Sequence, residues 1–221
     1  MQATTIPALR DKPRLRGVSH AVAFWIASVA SLLLVRSCPD PRTMIAAAVF
    51  GMSLAVQLGV STLYHRVQWN DGARRRMRRL DHAAIFVLIA GGYTPLLALV
   101  PSTDGGHRAL ALVWIGAGVG IVKSLLWAHA PKWVTALVCV GVGWSAVAPV
   151  VERVAAVGPL CIGVLVASGL VYSAGAVVYA LRRPDPVPHV FGYHEVFHAL
   201  VVVAGALLFT HVVLVIGATV G

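Results

Sequence analysis

His194 and His198 stand four residues apart in "HEVFH", at the head of a long apolar run. On a helix that spacing places the two imidazoles one above the other on a single face. Neutral imidazole binds zinc and several other transition metals, and two rings so placed can chelate one ion. With Glu195 between them, the segment also matches H-E-x-x-H, where the glutamate of a zinc protease activates water. Such proteases usually take a further ligand from beyond the motif. Only 23 residues follow His198, none of them acidic, and the sole candidate is His211. Thirteen residues separate it from His198, which on a helix is about 20 Å. His211 is therefore read as an interfacial or packing histidine near the opposite face, and the protease reading is set aside. Glu195 is expected to point to lipid headgroups or to a neighbouring arginine.

A second group of polar residues falls at the same level. In "SLAVQLGVSTLYH", Ser53, Gln57, Ser61 and His65 recur every four residues along an otherwise apolar segment. A stripe of this kind faces the interior of a helix bundle, as interhelical glue or as part of a site. His65 ends that segment, and Asp81 stands just before the apolar run "HAAIFVLIAGGYTP". Three histidines and a carboxylate from three helices thus meet at one depth. Three protein ligands plus water compose an open zinc site, although iron, copper and nickel also suit imidazole. The expected ligands of a Zn2+ ion are His65, His194 and His198. Asp81 is expected to bind the metal's water as a base, with Ser61 as a hydrogen-bonding neighbour.

The elements that must carry these residues are membrane spans. The chain of 221 residues is 58% hydrophobic and 12% charged, with a mean hydropathy of +0.82. A soluble domain carries about 25% charged residues. Seven segments approach the roughly 20 apolar residues that a span needs: Val18–Val35, Met44–Leu63, Ala83–Val100, Ala109–Trp127, Val134–Val151, Val157–Leu181 and Val196–Val220. The expected fold is all-α, a polytopic seven-transmembrane helix bundle over residues 18–221 behind a short basic segment, 1–17. Polar, basic residues up to position 20 argue against a cleaved signal peptide. Cys38, Cys139 and Cys161 have no metal-type spacing and are read as packing residues.

The formal charge of +10 is read as a topology signal, with no nucleic-acid partner. An N-terminus inside places thirteen basic residues on that side: Arg10, Lys12, Arg14, Arg16, Arg66, Arg74, Arg75, Arg76, Arg78, Arg79, Lys132, Arg182 and Arg183. Six of them lie in an arginine-rich connection between spans two and three. The other side receives four, Arg36, Arg42, Arg108 and Arg153, and Lys123 can snorkel from span four. The positive-inside rule then makes the N-terminus cytoplasmic and the C-terminus external.

"KPRLRGVSHA", "STLYH", "LDHAAIFVLIAGGYTP" and "HEVFHALVVVAG" together resemble the bacterial hemolysin III family, over essentially the whole chain. That family is related to the progestin and adipoQ receptors, among them the adiponectin receptors. The resemblance implies zinc near the cytoplasmic face, held by histidines matching His65, His194 and His198. It implies a carboxylate matching Asp81 on the zinc-bound water and a serine matching Ser61. Some relatives carry Gln at the position of Glu195. His82 follows Asp81 in many bacterial members and is read as a headgroup or packing residue. The long N-terminal regions of the receptors have no counterpart, so regulation through such a region is not expected. The resemblance also implies a wider group of membrane hydrolases, with ceramidase-like activity proposed for the receptors. Three functions follow: a zinc-dependent hydrolase acting on an amide or ester of a membrane lipid, a receptor or sensor braced by structural zinc, or a lytic pore-forming hemolysin. Against the pore, no ring of polar residues accompanies the stripe on span two.

Overall fold

Lipid, rather than water, is the solvent that sorts these side chains. Outward faces are apolar, with Trp25 70% exposed and Leu126 79% exposed, while Ser53, Gln57, Ser61 and His65 are all buried. The computed structural model that shows this describes residues 13–101, 107–127 and 129–220. Arg10 and Lys12 of the charge count, and most of the segment 1–17, lie outside those residues. Among the described residues the chain is nearly all helical: α1 (Val18–Ser37), α2 (Pro41–Arg66), α3 (Asp71–Leu99), α4 (His107–Leu126), α5 (Lys132–Trp144), α6 (Val147–Val151), α7 (Val154–Leu181) and α8 (Tyr193–Val220). With α5 and α6 taken as one span, seven helical stretches are long and apolar enough to cross a membrane. The protein is a multi-pass integral membrane protein, as its composition requires.

Two helices, α2 and α3, start where a side-chain cap, not hydropathy, dictates. Asp40 accepts from the backbone N–H of Arg42 at 2.8 Å and of Thr43 at 3.2 Å, and Pro41 takes the first helical position. Asn70 accepts from Ala73 N–H at 2.9 Å, so α3 begins at Asp71 and not at the expected Ala83. The arginine run read as a connection is therefore the opening turns of α3, projecting beyond the apolar stretch. Hydropathy marks where lipid begins; the helix begins at its cap.

Two close approaches lock the polar stripe inward. A Cβ on Gly91 of α3 would meet Ser53 Oγ at 2.1 Å, and one on Gly120 of α4 would meet the Phe86 ring at 2.2 Å. Small residues let helices cross at short range where lipid offers no hydrophobic drive. The fifth span is not continuous. It breaks between α5 and α6, where Tyr93 Oη donates to Gly143 O at 2.5 Å and Trp144 Nε1 donates to Ser173 Oγ at 3.0 Å. Neighbouring helices thereby tie down the free backbone of the break, as an interruption at membrane depth demands.

Candidate metal centre

Three helices deliver the chemistry to one end of the bundle, the end where α1 and α8 begin. Near the end of α2, His65 turns inward with Ser61 one turn before it; α8 opens on His194 and His198. Ligand atoms of His65, His194 and His198 lie within 4.8 Å of one another, and no other such group occurs among the described residues. The Nε2 atoms of His65 and His194 are 3.2 Å apart. A tetrahedral zinc with bonds of about 2.0–2.1 Å holds neighbouring nitrogens roughly 3.3 Å apart. Donor type and number therefore fit zinc, and the His65–His194 spacing matches it.

The start of α8 is built to present this pair. Glu195 Oε2 accepts from the backbone N–H of Gly192 at 2.8 Å, the reach-back of a capping-box glutamate. Its other oxygen takes the Arg16 guanidinium in an ion pair. The backbone N–H groups of Arg14 and Leu15 donate to the carbonyls of His189 and Val190 at 3.1 and 3.2 Å, which docks the turn before α1 onto the segment that leads into α8. The glutamate of "HEVFH" is thus engaged by an arginine and a helix cap. At the turn into α1, Gly17 has φ 76°, and a Cβ there would approach His65 Cβ to 2.8 Å. Glycine is required on both counts.

Asp81 stands outside the three-histidine group. It is half-buried, and the Ser61 hydroxyl serves as its hydrogen-bonding partner, with Arg78 nearby. His82, the next residue, is also half-buried. His211 is wholly buried at the far end, its Nδ1 3.0 Å from the carbonyl of Cys161; it packs between α7 and α8, away from the cluster. Lys123 does turn toward a polar partner, donating to Thr135 Oγ1 at 2.8 Å. Among the cysteines, Cys38 and Cys161 are buried and none is paired.

The sequence reading missed His20. Its ring stacks on His198 with centroids 3.9 Å apart and planes 6° from parallel, and it is 1% exposed. The signal was available, since a histidine early in span one shares the depth of the other three.

From the histidines a cavity of about 640 Å³ runs into the bundle between α2, α3, α5, α7 and α8. His65, Asp81 and His194 line its polar end; Ile85, Leu165, Val201 and Leu208 line the interior. Two polar groups interrupt that apolar wall. Gln57 Oε1 and Tyr172 Oη both line the cavity and lack any hydrogen-bond partner.

Fold and site together define a seven-helix membrane protein with imidazoles gathered at the polar end of an internal, mostly apolar cavity. Residues 9–209 match the haemolysin-III-related family, and the chain belongs to it. Hemolysin-3 from Bacillus cereus is 26% identical over 198 residues, covering 87% of this chain and 86% of its own. The monocyte to macrophage differentiation factor of Homo sapiens is 26% identical over 193 residues, 86% of this chain and 78% of its own. Heptahelical transmembrane protein 4 of Arabidopsis thaliana is 34% identical over 209 residues, covering 88% of this chain and 53% of its own. The family resemblance carried by the quoted motifs, including its tie to the adiponectin-receptor-like group, is borne out.

Proposed function

We propose that this chain is a zinc-dependent hydrolase that cleaves an amide or ester of a membrane lipid, with its N-terminus cytoplasmic. One observation carries the reading: His65, His194 and Asp81 line the polar end of a cavity whose remaining wall is mostly apolar. Such a cavity admits an acyl chain lengthwise and leaves its carbonyl among the histidines. Zinc held by His65, His194 and His198 supplies Lewis acidity, making water nucleophilic at neutral pH and polarising a carbonyl. Asp81 accepts the proton that the attacking water loses and later returns it to the departing amine or alcohol. Ser61 donates to the Asp81 carboxylate and fixes the direction of its free lone pair. The apolar wall excludes bulk water from the scissile bond.

Asp81→Asn tests this directly, because it keeps size and much of the hydrogen bonding while removing proton acceptance. Hydrolysis of a susceptible lipid, followed by mass spectrometry of released fatty acid, should fall by about 10²–10⁴. Zinc content should hold. An unchanged lipid profile with unchanged zinc would leave the metal as a brace between α2 and α8. Zinc lost from the same variant would make Asp81 a ligand. Orientation is tested by a reporter fused after Gly221, which should behave as exported.

A further inference from the structure

Arg16, Arg78 and Lys132 line the polar end of the cavity while half-buried, where topology alone asks for no cation. We propose that this end is a binding site for the anionic headgroup of an amphiphile, a phosphate or comparable oxyanion, whose hydrocarbon chain occupies the apolar cavity. The proposal rests on the reading of that cavity as a lipid site and narrows the lipid to an anionic one.

A second cavity of about 250 Å³ adjoins the first. Arg74, Arg75, Arg78 and Arg79 line it, with Asp71 its single carboxylate. Tyr64, Arg74 and Arg78 line both, so these three side chains stand between an open cationic groove and a largely apolar cavity. Arg16 and Lys132 add two more cations on the larger side. A membrane protein needs basic residues at one face for orientation, and the exposed Arg66, Arg74, Arg75, Arg79, Arg182 and Arg183 meet that need. Orientation gives no reason for the half-buried Arg16, Arg78 and Lys132 to line the larger cavity.

Carboxylates answer only part of this charge. Among the described residues, the one ion pair is Arg16 with Glu195. Asp81 faces Arg78 from one turn along the helix, which leaves the rest of the cluster with Asp71 alone. Lys132 is held without any carboxylate. Its ammonium donates to Tyr193 Oη at 2.6 Å and lies 4.6 and 4.5 Å from the ring centroids of Tyr179 and Tyr193. Aromatic faces fix a cation in place without neutralising it, and an ammonium has three donors to offer.

The face of α3 that lines the cavity is graded along its axis. Arg74 and Arg78 come first, then Asp81, then Ile85, Leu88 and Gly92. That order (cation, carboxylate, apolar wall) mirrors a ligand with an anionic head, a bond to be cleaved and a hydrocarbon tail. Guanidinium forks suit phosphate oxygens, which they can take two at a time.

The test is calorimetric titration of the purified zinc-loaded protein in a neutral detergent with dodecyl phosphate, with dodecylphosphocholine and with inorganic phosphate. Neither amphiphile carries a carboxylic ester or amide, so binding is read apart from hydrolysis. Dodecyl phosphate should bind roughly ten-fold or more tightly than dodecylphosphocholine, whose phosphate carries its own cation. Inorganic phosphate should bind far more weakly than dodecyl phosphate. Arg78→Gln and Lys132→Met should bring the two amphiphiles to parity, whereas Arg78→Lys and Lys132→Arg should keep most of the preference. Equal affinities in the wild type, or a preference that Arg78→Gln and Lys132→Met leave intact, overturn the headgroup site. Inorganic phosphate binding as tightly as dodecyl phosphate also overturns it, in favour of a free-oxyanion site. Failure of the hydrolase reading looks different: a clear anionic preference together with no lipid hydrolysis retires the enzyme and keeps the site. Hydrolysis of neutral lipids undiminished in Arg78→Gln does the reverse.

Discussion

At the end of the bundle away from the histidine cluster, Arg153 is 1% exposed and turns its guanidinium onto the carbonyls of Val100 and Pro149. His211, beside it in depth, meets the carbonyl of Cys161. At the opposite end, His65, His194 and His198 bring ligand atoms within 4.8 Å of one another, and His65 and His194 share a cavity with Asp81. Both regions bury ionisable groups where lipid makes them costly. In the first, side chains answer backbone carbonyls. In the second they answer one another around a common space. Burial of a polar residue in a membrane helix therefore does not by itself distinguish a brace from a site; convergence does.

Removing one ligand should separate the two regions most sharply. His65→Ala should lower zinc affinity by roughly 100-fold or more, since even outer partners of metal ligands are worth 10–100-fold. His211→Ala should leave zinc intact and lower stability by about 1–3 kcal/mol, the scale for disturbing a buried hydrogen-bonding group. Metal analysis and thermal unfolding in detergent read both. Equal zinc loss from the two variants would erase the distinction.

Next in size is the crossing that holds α2 against α3. Gly91→Val drives a side chain into Ser53 Oγ, 2.1 Å from the position of a Cβ. Overpacking of this kind costs typically 1–3 kcal/mol, seen as a lowered unfolding temperature. Because Ser53 shares the stripe of His65, zinc affinity should fall as well, by less than in His65→Ala.

Glu195→Gln should do little to the metal. The amide still accepts from Gly192 N–H, while the ion pair with Arg16 is lost. Zinc content should stay within two-fold of wild type by the same metal analysis, and lipid hydrolysis, if Asp81 is the base, should be nearly unchanged. A loss as large as that of Asp81→Asn would restore the H-E-x-x-H reading.

The smallest effect lies at the α1–α2 turn. Hydrogen bonds from the Thr43 hydroxyl and backbone, with a smaller one from Arg42, hold the Asp40 carboxyl below its ordinary range. A depressed carboxylate stabilises the fold at pH above its unfolded value and loses that contribution as pH falls through the folded one. Asp40→Ala should therefore remove a shallow acid-side decline in the unfolding temperature and leave the profile near neutrality parallel to wild type.

The seven spans and the three histidines with Asp81 were legible in the residues alone, because lipid enforces a simple rule. A span must be about 20 apolar residues long, and a polar stripe every four residues has to face inward. Those two constraints bring His65, His194, His198 and Asp81 to one depth without any knowledge of packing. Which neighbours each would meet was not legible. Glu195 belongs to Arg16, which precedes it by 179 residues, and His20 belongs to His198, stacked face to face. Periodicity gives the face on which a side chain lies but not the helix that comes to rest against it. Hydropathy was likewise blind to α3 starting at Asp71, since a cap formed by Asn70 draws charged residues into a helix that no apolar count would begin there. The cationic groove and the cavity behind it arise only when α2, α3, α5, α6, α7 and α8 are packed: the shape of such a space depends on side chains that helices contribute from distant parts of the chain.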